Sequence, residues 1–224
     1  MNVNDFVNTL ETEFKNNSNS KIALEQKAYM RNQFEYYGLK TDVRREIQKP
    51  FLNKAFLPPK GELNLIIKTL WDKPQREFHH FSQELVFKYV KQLEEKDIEL
   101  FEFMVTYKSW WDTVDFIANK LMGTYFKKFP EQSIPYTQKW IASNNIWLQR
   151  SALLFQLKYK NDMDTALLTS TINALLESKE FFINKAIGWV LREYSRTNPN
   201  WVLDFVSQTD LSHLSKKEAL RLIR

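Results

Sequence analysis

The residue types best suited to chemistry lie in one mid-chain stretch, Lys108-Ser109-Trp110-Trp111-Asp112-Thr113-Val114-Asp115-Phe116-Ile117. Trp111 and Asp115 are four apart, so on a helix they stand one above the other on a single face. An acid beside an indole face stabilises a developing positive charge. Asp112 is placed to cap the helix or to favour its positive end. Asp115 is one turn further in and has no such role. A partly buried carboxylate needs a partner, and Arg150, within Ile146-Trp147-Leu148-Gln149-Arg150-Ser151-Ala152, is the candidate. Two readings stay open at this point: an acid poised for chemistry, or a structural Asp–Arg ion pair.

The segment 180–196 offers a second cluster. Phe182, Ile183, Ala186, Ile187, Val190, Leu191 and Tyr194 recur at helical spacing and make a buried stripe. Lys185, Trp189, Arg192 and Arg196 fall outside it. A tryptophan in a row of cations suits contact with nucleic acid; packing against a neighbouring helix pair is the alternative. Arg150, followed by Lys158 and Lys160, has the forked donor geometry that grips a carboxylate or a phosphate. Near the start, Ala28-Tyr29-Met30-Arg31-Asn32-Gln33-Phe34 precedes Thr41, which reads as a helix cap, and Arg44-Arg45. The tyrosines here are equally compatible with a core, and the arginines with a solvated face. His79-His80 lacks metal-ligand spacing and His213 stands alone. No phosphate-binding loop, dinucleotide fingerprint or nucleophile elbow is present.

Helices must position these groups. With only 4 glycines and 7 prolines in 224 residues, the chain lacks the turn residues that a sheet protein needs. Periodicity predicts helices near 3–15, 20–36, 41–56, 61–72, 76–95, 97–107, 112–128, 134–143, 146–159, 163–177, 180–196, 199–207 and 215–223, with Pro50 kinking or splitting the third. Leu63-Asn64-Leu65-Ile66-Ile67 begins to alternate like a strand, but Leu63, Ile66, Ile67 and Leu70 fit a helix better. The fold class expected is all-α: an alpha-alpha superhelix of stacked antiparallel helix pairs of the HEAT or armadillo kind, one domain over 1–224, with a concave basic face.

The chain has no cysteine, which excludes disulfides, thiol catalysis and cysteine-ligated metals. The N-terminal residues lack the pattern of a signal peptide, and no apolar run is long enough to span a membrane. A cytoplasmic protein is expected. With 32 basic and 27 acidic residues, the net charge of +5 permits a polyanionic partner without requiring one.

Taken together, Ala28–Phe34, Ser109-Trp110-Trp111-Asp112-Thr113-Val114-Asp115, Arg150 within Gln149-Arg150-Ser151-Ala152, and Gly188-Trp189-Val190-Leu191-Arg192-Glu193 resemble the AlkD family of DNA glycosylases, built from HEAT-like repeats. The likeness runs in order through most of the chain. It implies base excision repair: hydrolytic excision of purines alkylated on ring nitrogens, such as 7-methylguanine and 3-methyladenine, from double-stranded DNA, without flipping the base into a pocket. It also implies that no cofactor or metal is needed and that a monomer acts, in the cytoplasm at the nucleoid. By the same resemblance Asp115 matches the catalytic carboxylate, Trp111 and Trp189 the two tryptophans of the site, and Arg150 a phosphate-binding arginine. Tyr29, Lys158 and Arg192 match DNA-contacting positions. Two other functions compete: a non-catalytic DNA-binding module of the same fold for bent or branched DNA, and a helical-repeat scaffold for protein.

Overall fold

Helices form where apolar side chains recur on one face, and they start where an asparagine, aspartate or serine can accept from the first turn. Asn2, Asn19, Asn145, Asp164, Asn198 and Ser212 each cap a helix in this way. The computed structural model describes residues 2–223. Among them no strand occurs, and an isolated bridge joins Glu35 to Gln75. The α-helices are α1 (Val3–Asn16), α2 (Ser20–Tyr29), α3 (Thr41–Gln48), α4 (Lys60–Asp72), α5 (Arg76–Phe87), α6 (Asp97–Thr106), α7 (Trp111–Phe116), α8 (Gly123–Lys128), α9 (Ser133–Ala142), α10 (Ile146–Leu154), α11 (Thr165–Ala174), α12 (Phe181–Tyr194), α13 (Pro199–Gln208) and α14 (His213–Ala219).

Several expected helices are shorter than periodicity suggests. The second stops at Tyr29, because Arg31 and Asn32 take left-handed backbone (φ 55° and 57°). Pro50 divides the third, opening a 3-10 turn at Pro50–Leu52. Lys40, not Thr41, holds the cap position of α3, and no side chain caps it. The helix expected over 112–128 is continuous but changes pitch: α7 runs into a π turn, Ile117–Met122, before α8.

The chain gathers into two compact units, one ending at Gln92 and one beginning at Leu93. In the first, α1 packs on α3 and α4, and α4 on α5. Its core holds Phe6, Leu10, Phe14, Ile66, Leu70, Trp71, Phe78 and Phe81, all buried. Gly38 is required there: its φ is +86°, and an added Cβ would sit 2.0 Å from the Asn19 carbonyl oxygen. Glu77 accepts from the Gly38 and Leu39 amides at 3.0 and 3.1 Å and pins this turn to α5.

In the second unit α10 packs against α7, α9, α11 and α12, and α12 packs against α13 and α14. Helices α7, α10, α12 and α14 therefore succeed one another in a row. The repeat that sequence similarity barely suggests is written in the pairing of side chains. Asp115 pairs with Arg150, Lys127 with Asp162 and Lys158 with Glu193, each 35 residues apart. Tyr159 bonds Gly123 across 36 residues, and Lys139 bonds Glu102 across 37. A stacked array brings equivalent positions of neighbouring repeats side by side, so a nearly constant separation is its signature.

Candidate active site

Helix α7 is launched by a strained turn. Lys108 has φ 48°, uncommon for a residue with a side chain. Ser109 Oγ donates to the Val105 carbonyl at 2.7 Å, closing the end of α6. Trp110 then takes the cap position in extended backbone and Trp111 opens the helix. Thr113 and Val114 turn into the core, while Trp111, Asp112, Asp115 and Phe116 remain half-buried. Thus Trp111 and Asp115 share the open side of α7, one turn apart.

Arg150 reaches Asp115 from α10 with both prongs. Its Nε donates to Oδ1 at 2.7 Å and its Nη2 to Oδ2 at 2.9 Å. Its third nitrogen, Nη1, donates to the main-chain oxygen of Phe182 in the first turn of α12. One guanidinium thereby ties three successive helices. The Arg150 side chain is 6% exposed and that of Asp115 17%, so the acid keeps an opening to solvent that the base lacks. Burial pushes the Asp115 carboxyl above its ordinary range; Arg150 pulls it back only in part, and Asp112 adds to the rise.

The π turn follows Asp115 directly. Its Ile117, Ala118, Leu121 and Met122 are buried, and the Tyr159 hydroxyl donates to the Gly123 carbonyl at 2.6 Å just beyond it. Gly123 admits the chain to which Tyr159 belongs: a Cβ there would lie 2.5 Å from the Phe155 oxygen. Such single π turns interrupt α-helices frequently at functional sites.

Of the stripe expected on α12, Ile183, Ala186, Ile187, Val190, Leu191 and Tyr194 are buried, whereas Phe182 is half-buried, its ring turned to Trp110 and Trp147; Trp189 lies outside the stripe, half-buried. The cations on either side of Trp189 are both engaged. Lys185 donates to Glu218 at 2.8 Å, and Arg192 pairs with the other oxygen of the same carboxylate. Gly188 lets α14 approach, since a Cβ would meet Glu218 Cβ at 2.5 Å. Lys158 is paired with Glu193 at 2.6 Å. Tyr29 ends α2 in the first unit and is 74% exposed. The structure therefore joins Asp115 to Arg150 directly, sets Trp111 on the same helix face, and carries Trp189 on the helix whose first turn Arg150 holds. Lys158 and Arg192 each face a carboxylate.

Three aromatic residues to which the sequence assigned no part in the site lie beside it. The Trp147 ring lies 5.6 Å from that of Trp110 and 5.0 Å from that of Phe182, and Trp110 lies 5.3 Å from Phe182. The Arg150 guanidinium carbon is 5.9 Å from the Phe182 ring centre. Their spacing, 37 and then 35 residues, is the available signal, and it becomes meaningful once the repeat length is known. Among the described residues no group of three His, Asp or Glu side chains has metal-holding geometry, and no helix is long and apolar enough to cross a membrane.

The sequence of the chain matches that of the family described as DNA alkylation repair enzyme over residues 10–223. A solved structure described as a predicted DNA alkylation repair enzyme from Enterococcus faecalis superposes with a TM-score of 0.86 at 30% identity, covering 92% of this chain and 96% of that one. No curated protein matches the chain.

Proposed function

The chain belongs to the DNA alkylation repair enzyme family, and from that premise we propose that it is a monofunctional DNA glycosylase acting on cationic alkylated purines, 7-methylguanine and 3-methyladenine among them, in duplex DNA. Alkylation on a ring nitrogen leaves the purine positively charged. The bond from N9 or its equivalent to C1′ then breaks with both electrons going to the base, which departs neutral. Positive charge passes to the sugar as an oxocarbenium-like centre. Water adds at C1′ and gives up its proton, leaving an abasic site. Because the leaving group is already good, no general acid is required.

One observation carries the reading: Asp115 is gripped on both oxygens, yet its carboxylate still reaches solvent from the open side of α7. A preorganised charge of this kind, aimed where charge develops, is worth about 3–4 kcal/mol. Indole faces of Trp111 and Trp189 against the sugar add roughly 0.5–2 kcal/mol each. The carboxylate also orients the attacking water and receives its proton, a task its raised proton affinity favours. Arg150 fixes the carboxylate. Lys158, Arg192 and Tyr29 contact the duplex, the two cations exchanging their carboxylate partners for phosphate. The chain works as a monomer without a cofactor.

Excision from a defined duplex bearing one 7-methylguanine tests this. The wild type releases the free base and Asp115→Asn does not, while both bind the duplex alike. The second reading, a DNA-binding module without catalysis, draws on the same ion pair, since a buried Asp–Arg pair also serves a purely structural end. Binding by a wild type that releases no base would favour it.

A further inference from the structure

The row α7, α10, α12 and α14 repeats a pattern. Asp115, Arg150, Lys185 and Glu218 follow one another at separations of 35, 35 and 33 residues, and they pair as Asp115–Arg150 and Lys185–Glu218. One turn toward the helix starts, a second set occupies equivalent places. Trp110 caps α7, Trp147 is the second residue of α10, and Phe182 is the second residue of α12. Ring-centre distances of 5.0–5.6 Å join all three, with interplanar angles of 43–70° that suit aromatic contact. An aromatic ladder thus lies beside a charged one.

The two ladders meet at Arg150. Trp147 precedes it by three residues and so shares its helix face. Phe182 supplies the main-chain oxygen that Nη1 binds and a ring 5.9 Å from the guanidinium carbon. A guanidinium with five donors in a rigid plane has few orientations once one edge and one face are fixed. The edge presented to Asp115 is then fixed as well. Among the charged groups of the neighbouring helices, Asp112 on α7 itself acts on the Asp115 carboxyl, Glu102 of α6 accepts from Lys139 and Trp140, Lys185 and Arg192 of α12 pair with Glu218, and Glu193 pairs with Lys158.

We infer that Trp110, Trp147 and Phe182 are positioning residues that act through Arg150 to orient the Asp115 carboxylate and keep water from its Arg150 side. The inference rests on the reading of Asp115 as the acting acid. It assigns the rings a task separate from any contact with DNA, and it explains why three large half-buried aromatics gather at the starts of three helices instead of filling the core.

The test combines two readouts on wild type, Trp147→Leu, Phe182→Leu and Trp147→Phe. One is the titration of the Asp115 carboxyl carbon by NMR; the other is single-turnover release of 7-methylguanine from a defined duplex, with the duplex Kd alongside. Phe182→Leu removes the ring and keeps the carbonyl acceptor, so it serves where Trp147→Leu does not fold. Both leucine variants are expected to lower the release rate about tenfold at saturating enzyme, with Kd within about twofold. Their Asp115 titration shifts from the wild-type position, because a loosened Arg150 and entering water both change the balance that sets it, and Trp147→Phe retains both properties. A rate loss with an unmoved titration overturns the inference, as does a weakened Kd with an unchanged rate, which would mean that the rings touch DNA. Should the wild type release no base, the glycosylase reading fails, and the titration alone decides the positioning claim: a shift in the leucine variants upholds it and no shift overturns it.

Discussion

Glu84 of the first unit and Asp115 of the second are both held by arginine, and they are held differently. Glu84 of the first unit receives Arg44 Nη2 at 3.0 Å and Arg45 Nε and Nη2 at 3.1 and 3.0 Å on one oxygen, with Gln48 on the other. Burial alone would raise its carboxyl, but two guanidiniums outweigh burial and hold it below the ordinary range. Asp115 has one guanidinium and a second acid on its own helix, and burial wins. The contact type is the same and the electrostatic outcome is opposite. An acid with surplus cations is locked in its charged form and serves the fold. An acid with a single partner stays responsive to protons and to a passing positive charge, as catalysis requires.

That contrast can be broken at either acid. The largest effect belongs to Asp115→Asn, which keeps the shape and removes the charge: 7-methylguanine release falls at least about 100-fold under single-turnover conditions, with duplex affinity nearly unchanged. A loss of DNA binding instead would make Asp115 a structural residue like Glu84. Next comes Arg150→Ala. It removes the cation that offsets burial, so the Asp115 inflection moves further up and the rate at neutral pH drops by about 10- to 100-fold. If Arg150 also meets a phosphate, the dependence of affinity on salt flattens by about one unit of slope. The smallest effect on chemistry is Glu84→Gln, which costs about 1–3 kcal/mol of stability by thermal unfolding and leaves the release rate per folded molecule within about twofold. Equal rate losses from Glu84→Gln and Asp115→Asn would erase the distinction.

Much of this was legible in the chain itself. Apolar spacing locates the helices, Leu63, Ile66 and Ile67 are rightly helical, and Pro50 divides its segment. The pairing of Asp115 with Arg150 follows from the rule that a partly buried carboxylate seeks a cation. What stayed hidden depends on distance along the chain. The partners of Lys158 and Arg192, Glu193 and Glu218, lie 35 and 26 residues away, where no local pattern reports them. Phe182 reads as part of a core stripe, and Trp110 and Trp147 carry no assigned role, until the repeat aligns them. The early end of α2 at Tyr29, where Arg31 and Asn32 turn left-handed, and the π turn at Ile117–Met122 leave little trace in composition.

The account is tested most directly by the pH dependence of single-turnover 7-methylguanine release. On the proposed mechanism Asp115 acts while ionised, and its folded proton affinity is raised, so the rate should be full at neutral pH and fall as pH drops through a single inflection lying above the usual aspartate value of about 3.9. Asp115→Asn should show a low rate without that inflection. A wild-type rate that stays flat down to pH 4, or an inflection that survives in Asp115→Asn, would contradict the account.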